Sequence, residues 1–380
     1  MKTFFNNSGY NMIIERIELR HIKMELVSPF KTSMGTEYFE EHIIVRIDSE
    51  GLSGWGEIPV EIFPLYSSET INTAMHLLSD CLIPKILGKN LESIEQYVDS
   101  VKQFRGHRMA KAGLEFALFD IFAQTKKKSL AEYLGGSKKR IDVGVSIGIS
   151  ESSYELLKSI ETYLSEGYKR IKIKIAPGSD IEFVKAVRKE YPNILLQVDA
   201  NSAYSLADIG LFKQIDEYNL LLIEQPLGYE DIYQHSLLQK ELKTDICLDE
   251  SIHSLGDTEA ALAMESCRVI NIKPARVGGI REAKLIHDFC LSKNIPVWHG
   301  GMLETGVGRA ANVALASLPN FILPGDISAS SRYYFEDIID PPFNLNNDGT
   351  MPVPTGYGLG VNIIPERLEN VTLRKIEFKN

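Results

Sequence analysis

A chain of 380 residues exceeds what one hydrophobic core sustains, and 44% apolar with 24% charged residues and no long biased tract excludes the disordered and collagenous classes. Its 41 Lys and Arg against 51 Asp and Glu, with neither sign gathered into a run, argue against nucleic acid as a partner. Cys81, Cys247, Cys267 and Cys290 stand far apart without CxxC spacing, so they read as buried thiols of a reducing compartment, and a cytoplasmic location is expected.

Residues 1–11 lack the apolar stretch of a signal peptide and read as an extension. No segment approaches the roughly 20 apolar residues of a membrane span, so no membrane is expected as a partner. From 13 to 48, apolar and polar residues alternate in two strand-like runs, 13–26 and 42–47, joined by a polar, Gly-bearing loop over 28–36. Residues 67–136 follow a helical period, with the most apolar helix at 110–123. The segment 12–138 is therefore expected to form an α+β capping domain. From 141 the texture changes to short apolar runs separated by helical stretches. The runs lie at 143–147, 170–175, 194–199, 220–224, 246–249, 269–273, 295–299 and 321–324. Their repeat of about 25 residues fits one strand, one helix and two short loops, so 139–340 is expected to fold as a (β/α)7β barrel of the TIM type, in the α/β class. The segment 341–380 alternates again near its end and is expected to return to the capping domain and complete it.

Five ionisable residues close successive runs: Lys174, Asp199, Glu224, Asp249 and Lys273, at intervals of 25, 25, 25 and 24. C-terminal strand ends of a parallel barrel converge on one mouth, so these five side chains are expected to share a site. Each acid alone reads as readily as a capping residue of a loop; their common phase is what points to chemistry. Asp199, Glu224 and Asp249 form an all-oxygen donor set without His or Cys, which suits Mg²⁺, or Mn²⁺, rather than zinc. Lys174 and Lys273 would face each other across that metal, on either side of a planar intermediate. A lysine near its usual pKa of about 10.4 is a poor base at neutral pH. A divalent cation, a second ammonium and burial are expected to lower it, with Arg276 adding to the field. A proton next to a carboxylate is very weakly acidic because the enolate carries two negative charges on its oxygens, and a metal offsets that charge. Lys172 shares the face of Lys174 by period two and is expected near the carboxylate of the substrate. Asn201 follows Asp199 by two residues, and Glu250, beside Asp249, is expected to pair with a lysine. His299 is read as a supporting rather than a catalytic residue, because a lysine already holds the opposed-base position.

At these residues the chain resembles the muconate-lactonizing subgroup of the enolase superfamily: Lys-x-Lys on one strand, three metal acids on the next three, Lys on the following one. In narrower detail, Lys273-Pro-Ala-Arg-Val-Gly-Gly279, Trp298-His-Gly-Gly-Met-Leu-Glu-Thr-Gly-Val-Gly308 and Leu323-Pro-Gly-Asp-Ile-Ser328 are similar to the o-succinylbenzoate synthase/N-succinylamino acid racemase family. The resemblance implies either syn-dehydration of the cyclohexadiene precursor in menaquinone biosynthesis or racemisation of N-succinylamino acids. It implies Lys174 and Lys273 as the catalytic pair and Asp199, Glu224 and Asp249 as Mg²⁺ ligands. Ser146, Gly301 and Met302 would line a succinyl pocket, and the loops carrying Phe30 and Tyr66 would close over the substrate. Arg276 tilts the resemblance toward members with racemase activity. The expected partners are a small carboxylate bearing a succinyl group and further copies of the chain in a homo-oligomer. A dipeptide epimerase or muconate cycloisomerase of the same superfamily stays open, as does a noncatalytic acid-binding barrel.

Overall fold

The two alternating runs near the start of the chain form the antiparallel strands Arg16–Lys31 and Thr36–Ser49, and a third strand, Leu52–Ile58, pairs antiparallel beside the second. The computed structural model describes residues 12–380, so the extension expected at 1–11 lies outside the described residues. Ile17 stands opposite Ile47 and Leu19 opposite Val45, and these four are buried. The last strand, Thr372–Lys379, runs antiparallel along the free side of Arg16–Lys31, with Ile17 opposite Phe378. The chain end thus completes the four-stranded capping sheet.

Helix Arg108–Thr125 lies on this sheet and is buried almost all round, as its apolar composition demands. It touches strand Leu52–Ile58 on one side and the short barrel helix Pro274–Val277 on the other. Gly56 makes that approach feasible: a Cβ there would sit well inside van der Waals contact of the Gly113 carbonyl oxygen.

Seven parallel strands follow in chain order: Gly144–Ile147, Arg170–Lys174, Leu195–Asp199, Ile223–Glu224, Ile246–Leu248, Val269–Ile272 and Val297–His299. Each is followed by a helix, from Ser153–Ser165 after the first to Gly306–Ala316 after the seventh. The eighth run differs from expectation. Instead of a strand at 321–324 it makes only isolated parallel bridges, Phe321 to Val297 and Gly325 to Val143. Pro324 has no N–H to give a ladder, so closure falls to Gly325 and Asp326, whose amides donate to Asp142 O at 3.1 Å and His299 O at 2.8 Å.

Cap and barrel are joined by a buried carboxylate. Glu57, on the capping sheet, accepts from Thr305 N at 2.9 Å, Thr305 Oγ1 at 2.6 Å and Gly308 N at 2.7 Å, at the N-terminus of helix Gly306–Ala316. An anion there meets both the unpaired amides and the positive end of the helix dipole. Among the described residues, no helix is long and apolar enough to cross a membrane.

Candidate active site

Parallel register carries the strand ends to one mouth, with Lys174 opposite Asp199 and Asp199 opposite Glu224. Lys174 Nζ donates to Asp199 Oδ2 at 2.6 Å and to Asn201 Oδ1 at 2.5 Å. Lys172 Nζ lies 3.0 Å from both Asp199 Oδ2 and Glu224 Oε2, and 2.5 Å from Asp326 Oδ2. From the sixth strand end, Lys273 Nζ donates to Asp249 Oδ2 at 2.8 Å and to Tyr66 Oη at 3.1 Å. Arg276 forms an ion pair with the other oxygen of Asp249, and donates to Ile252 O at 2.7 Å and Asn271 O at 2.6 Å. Asn201, at a φ of 40°, holds its side-chain amide 3.0 Å from Glu250 Oε1.

Burial, with Asp199 beside it, pushes the Glu224 carboxyl up to about 7 despite Lys172. Burial also works against a charged Asp199, but Lys174 and Lys172 outweigh it and hold the group below the usual carboxylate range. These two acids are adjacent like charges that compete for the same ammonium groups. Among the described residues no three acid, His or Cys side chains converge as a ready metal cage, because Lys172, Lys273 and Arg276 occupy the oxygens a cation would take. The donor set still fits Mg²⁺ or Mn²⁺: all oxygen, buried, and with the repulsion at Glu224 that a divalent cation relieves.

A cavity opens between barrel mouth and cap. Lys172, Lys174, Asn201 and Lys273 line it, whereas Asp199, Glu224 and Asp249 lie behind them, at most 1% exposed. Ser146, Gly301 and Met302 line the barrel side, and Phe30 and Tyr66 come from the cap.

Two family models match this chain: the Mandelate racemase / muconate lactonizing enzyme N-terminal domain over residues 16–135, and Enolase C-terminal domain-like over 155–367. The chain belongs to the enolase superfamily. It is 50% identical over 351 residues to an o-succinylbenzoate synthase of Bacillus subtilis (strain 168), covering 92% of this chain and 94% of that one. It is 48% identical over 366 residues to an N-succinylamino acid racemase of Amycolatopsis sp, covering 96% and 99%. A solved enolase-superfamily protein of Listeria innocua Clip11262 matches with a TM-score of 0.93 at 43% identity, over 97% of this chain and 99% of that one. A dipeptide epimerase of Cytophaga hutchinsonii, solved with Mg and D-Ala-L-Val, matches with a TM-score of 0.89 at 25% identity, over 96% and 100%. This member of the superfamily is therefore an enzyme.

Within this enolase-superfamily site Arg276, expected to add to the field around Lys273, packs behind Asp249 and off the cavity wall. Two expectations need correction or refinement. Burial pushes Lys273 down as expected, but Tyr66, Glu250 and Glu224 outweigh it, so the chain's own acids raise the amine above its ordinary value. The expected lowering depends on a divalent cation that the side chains do not replace. Glu250 contacts Asn201 rather than a lysine directly. His299 is fully buried with both ring nitrogens unpartnered, and burial pushes its pKa down to about 3, which suits the supporting role.

Among the polar residues that escaped the sequence reading, two belong to the barrel mouth. Asp326 links Lys172 to Arg170 Nη2, which lies 2.6 Å from it; burial opposes its charge, yet the two cations hold it at about 2. It belongs to the Pro-Gly-Asp string at the irregular eighth run, so its phase gave no signal. Asn271 donates to Glu224 Oε1 at 2.7 Å and precedes Lys273 by two, a spacing that does mark a shared strand face.

Proposed function

We propose that this enzyme removes a proton from the carbon next to a carboxylate with Mg²⁺ bound, acting as an o-succinylbenzoate synthase in menaquinone biosynthesis, as an N-succinylamino acid racemase, or as both. The observation that carries the reading is that Lys174 and Lys273, from the second and sixth strand ends, line one cavity with buried acids behind each. The relatives named for those two reactions support it. Mg²⁺, held by Asp199, Glu224 and Asp249, would supply positive charge to the two oxygens of the enolate. The lysines handle the proton. Lys174, steadied by Asp199 and Asn201, acts as base on one face of the α-carbon. In dehydration it takes the α-proton and returns it to the departing hydroxyl on the same face, so a C=C bond forms, the C–O bond breaks and water leaves. Lys273, steadied by Asp249 and Tyr66, stays charged opposite and stabilises the enolate. In racemisation one lysine removes the proton and the other delivers one to the opposite face. Ser146, Gly301 and Met302 receive the succinyl arm.

The test is turnover of the cyclohexadiene precursor and α-proton exchange of N-succinyl-L-phenylalanine in D₂O, before and after chelation and Mg²⁺ return. Metal-dependent conversion of either is expected. Clear preference for dipeptides over every succinylated compound would move the enzyme to the epimerases, and full activity after chelation would refute the metal's part.

A further inference from the structure

The cavity is divided by charge. Lys172, Lys174 and Lys273 present ammonium groups from the barrel beside one acid, Asp326, which Arg170 and Lys172 neutralise, whereas the cap presents Glu37, Glu40 and Glu61. On the cap, His42 faces Glu40, its Nε2 3.8 Å from Glu40 Oε2, while Lys174 and Lys273 act on Glu37 and Glu61 from across the cavity. His42 is itself committed to Glu57, Nδ1 to Oε1 at 2.6 Å. Glu40 is only 8% exposed, and its Oε1 has no hydrogen-bond partner. A buried carboxylate oxygen left so is costly; the donor the cap itself can offer is the neighbouring Glu37, which burial and Glu40 keep protonated at neutral pH, and a charged donor entering the cavity would displace it. Ser146 Oγ, in the barrel wall of the same cavity, is also buried and without a partner. Burial with Glu40 and Glu61 raises Glu37 to about 9, and burial raises Glu61 to about 7, as befits acids whose charge lacks a full counterpart.

We propose that the cap wall at Glu40 and Glu61 is a subsite for a cationic side chain, the guanidinium or ammonium of an N-acylated amino acid whose acyl arm meets Ser146. The inference rests on the racemase reading of the site. An α-carbon between Lys174 and Lys273, with its carboxylate toward the strand-end acids, leaves two substituents to place. The succinyl arm ends in a second carboxylate, which the free oxygen of Glu40 would repel and the Ser146 hydroxyl can meet. The side chain is left facing the acids. A guanidinium there donates N–H groups to Glu40 Oε1 and Glu61, and a charged donor to a carboxylate makes the stronger kind of hydrogen bond.

N-succinyl-L-arginine is compared with N-succinyl-L-citrulline, a neutral compound of nearly the same shape, by calorimetric titration of the Mg²⁺-loaded enzyme. Their α-proton exchange in D₂O is followed alongside that of N-succinyl-L-norleucine. At least a tenfold tighter binding of the arginine compound is expected, about 1.4 kcal/mol. In Glu40→Gln and in Glu61→Gln that ratio should fall to within about threefold, and either variant suffices if the other does not fold. Equal affinity of the wild type for both compounds, or a ratio unchanged in both variants, would overturn the subsite. Selective binding of the arginine compound without exchange of any α-proton would keep the subsite and remove the racemase reading; exchange of the norleucine compound with no advantage for arginine would do the reverse.

Discussion

Lys172 and Lys174 stand two residues apart on one strand face, yet their surroundings separate them. Lys172 touches three acids, Asp199, Glu224 and Asp326, which outweigh its burial and keep it charged. Lys174 has one acid partner, Asp199, and the Asn201 amide oxygen. The base is therefore expected at 174. Lys174→Ala should abolish dehydration, a loss of at least about 10²-fold. In D₂O it should exchange the α-proton of one N-succinylamino acid enantiomer only, and Lys273→Ala that of the other. NMR of both enantiomers with each variant checks this, and exchange of both by either variant would point to a different base. Asp249 carries a second consequence. Removing its charge in Asp249→Asn costs the activity and also strands Lys273 and Arg276 in a buried place, at roughly 3–5 kcal/mol for a broken buried pair. Thermal unfolding of the variant should show that loss, whereas a merely metal-binding carboxylate would leave the midpoint unchanged without metal. The five strand-end residues were legible because parallel register turns a repeat of about 25 residues into a shared end. Glu40 and Glu61 were not, since they reach the cavity from the cap, and no period in the chain links them to the barrel.

At the scale of elements, the buried helix was readable from its continuous apolar stretch: 110–123 was expected and Arg108–Thr125 is found. The capping sheet was read less completely. Strand Leu52–Ile58, Leu-Ser-Gly-Trp-Gly-Glu-Ile, was missed because two glycines interrupt the alternation that marks a strand. Those glycines are there for the helix, not for the strand. At Gly54 a Cβ would collide with the Ala117 carbonyl oxygen, and at Gly56 with that of Gly113. The loop expected at 28–36 also shrinks, since the flanking strands run to Lys31 and resume at Thr36, pairing across the turn. Gly56→Ala should push helix and sheet apart and destabilise by about 1–3 kcal/mol, the range for overpacking. A lowered thermal midpoint is the readout, and no change would mean that the helix can slide at little cost.

Across the whole molecule, the cap is tied to the barrel through one buried chain of charges, Glu40 to His42 to Glu57 to the N-terminus of helix Gly306–Ala316. Burial alone would push His42 down, but Glu40 and Glu57 outweigh it and raise it to about 10. A histidine whose folded pKa lies above its ordinary value of 6.5 contributes stability that is fully present below 6.5 and is lost as pH rises through about 10. The thermal midpoint should therefore fall from pH 7 to pH 10. Glu37 and Glu61, raised by burial, give up protons in the same window and add to the fall, so the wild-type slope alone does not isolate the histidine. His42→Gln does. It leaves Glu57 with its amide and hydroxyl donors from Thr305 and Gly308 but removes the titrating cation. The variant should be less stable at pH 7 and lose less on going to pH 10, because its share of the slope has been removed. Scanning calorimetry of both proteins across that range measures the difference. Parallel curves would mean that His42 sits in the joint as a neutral ring, and that Glu57 alone fastens cap to barrel.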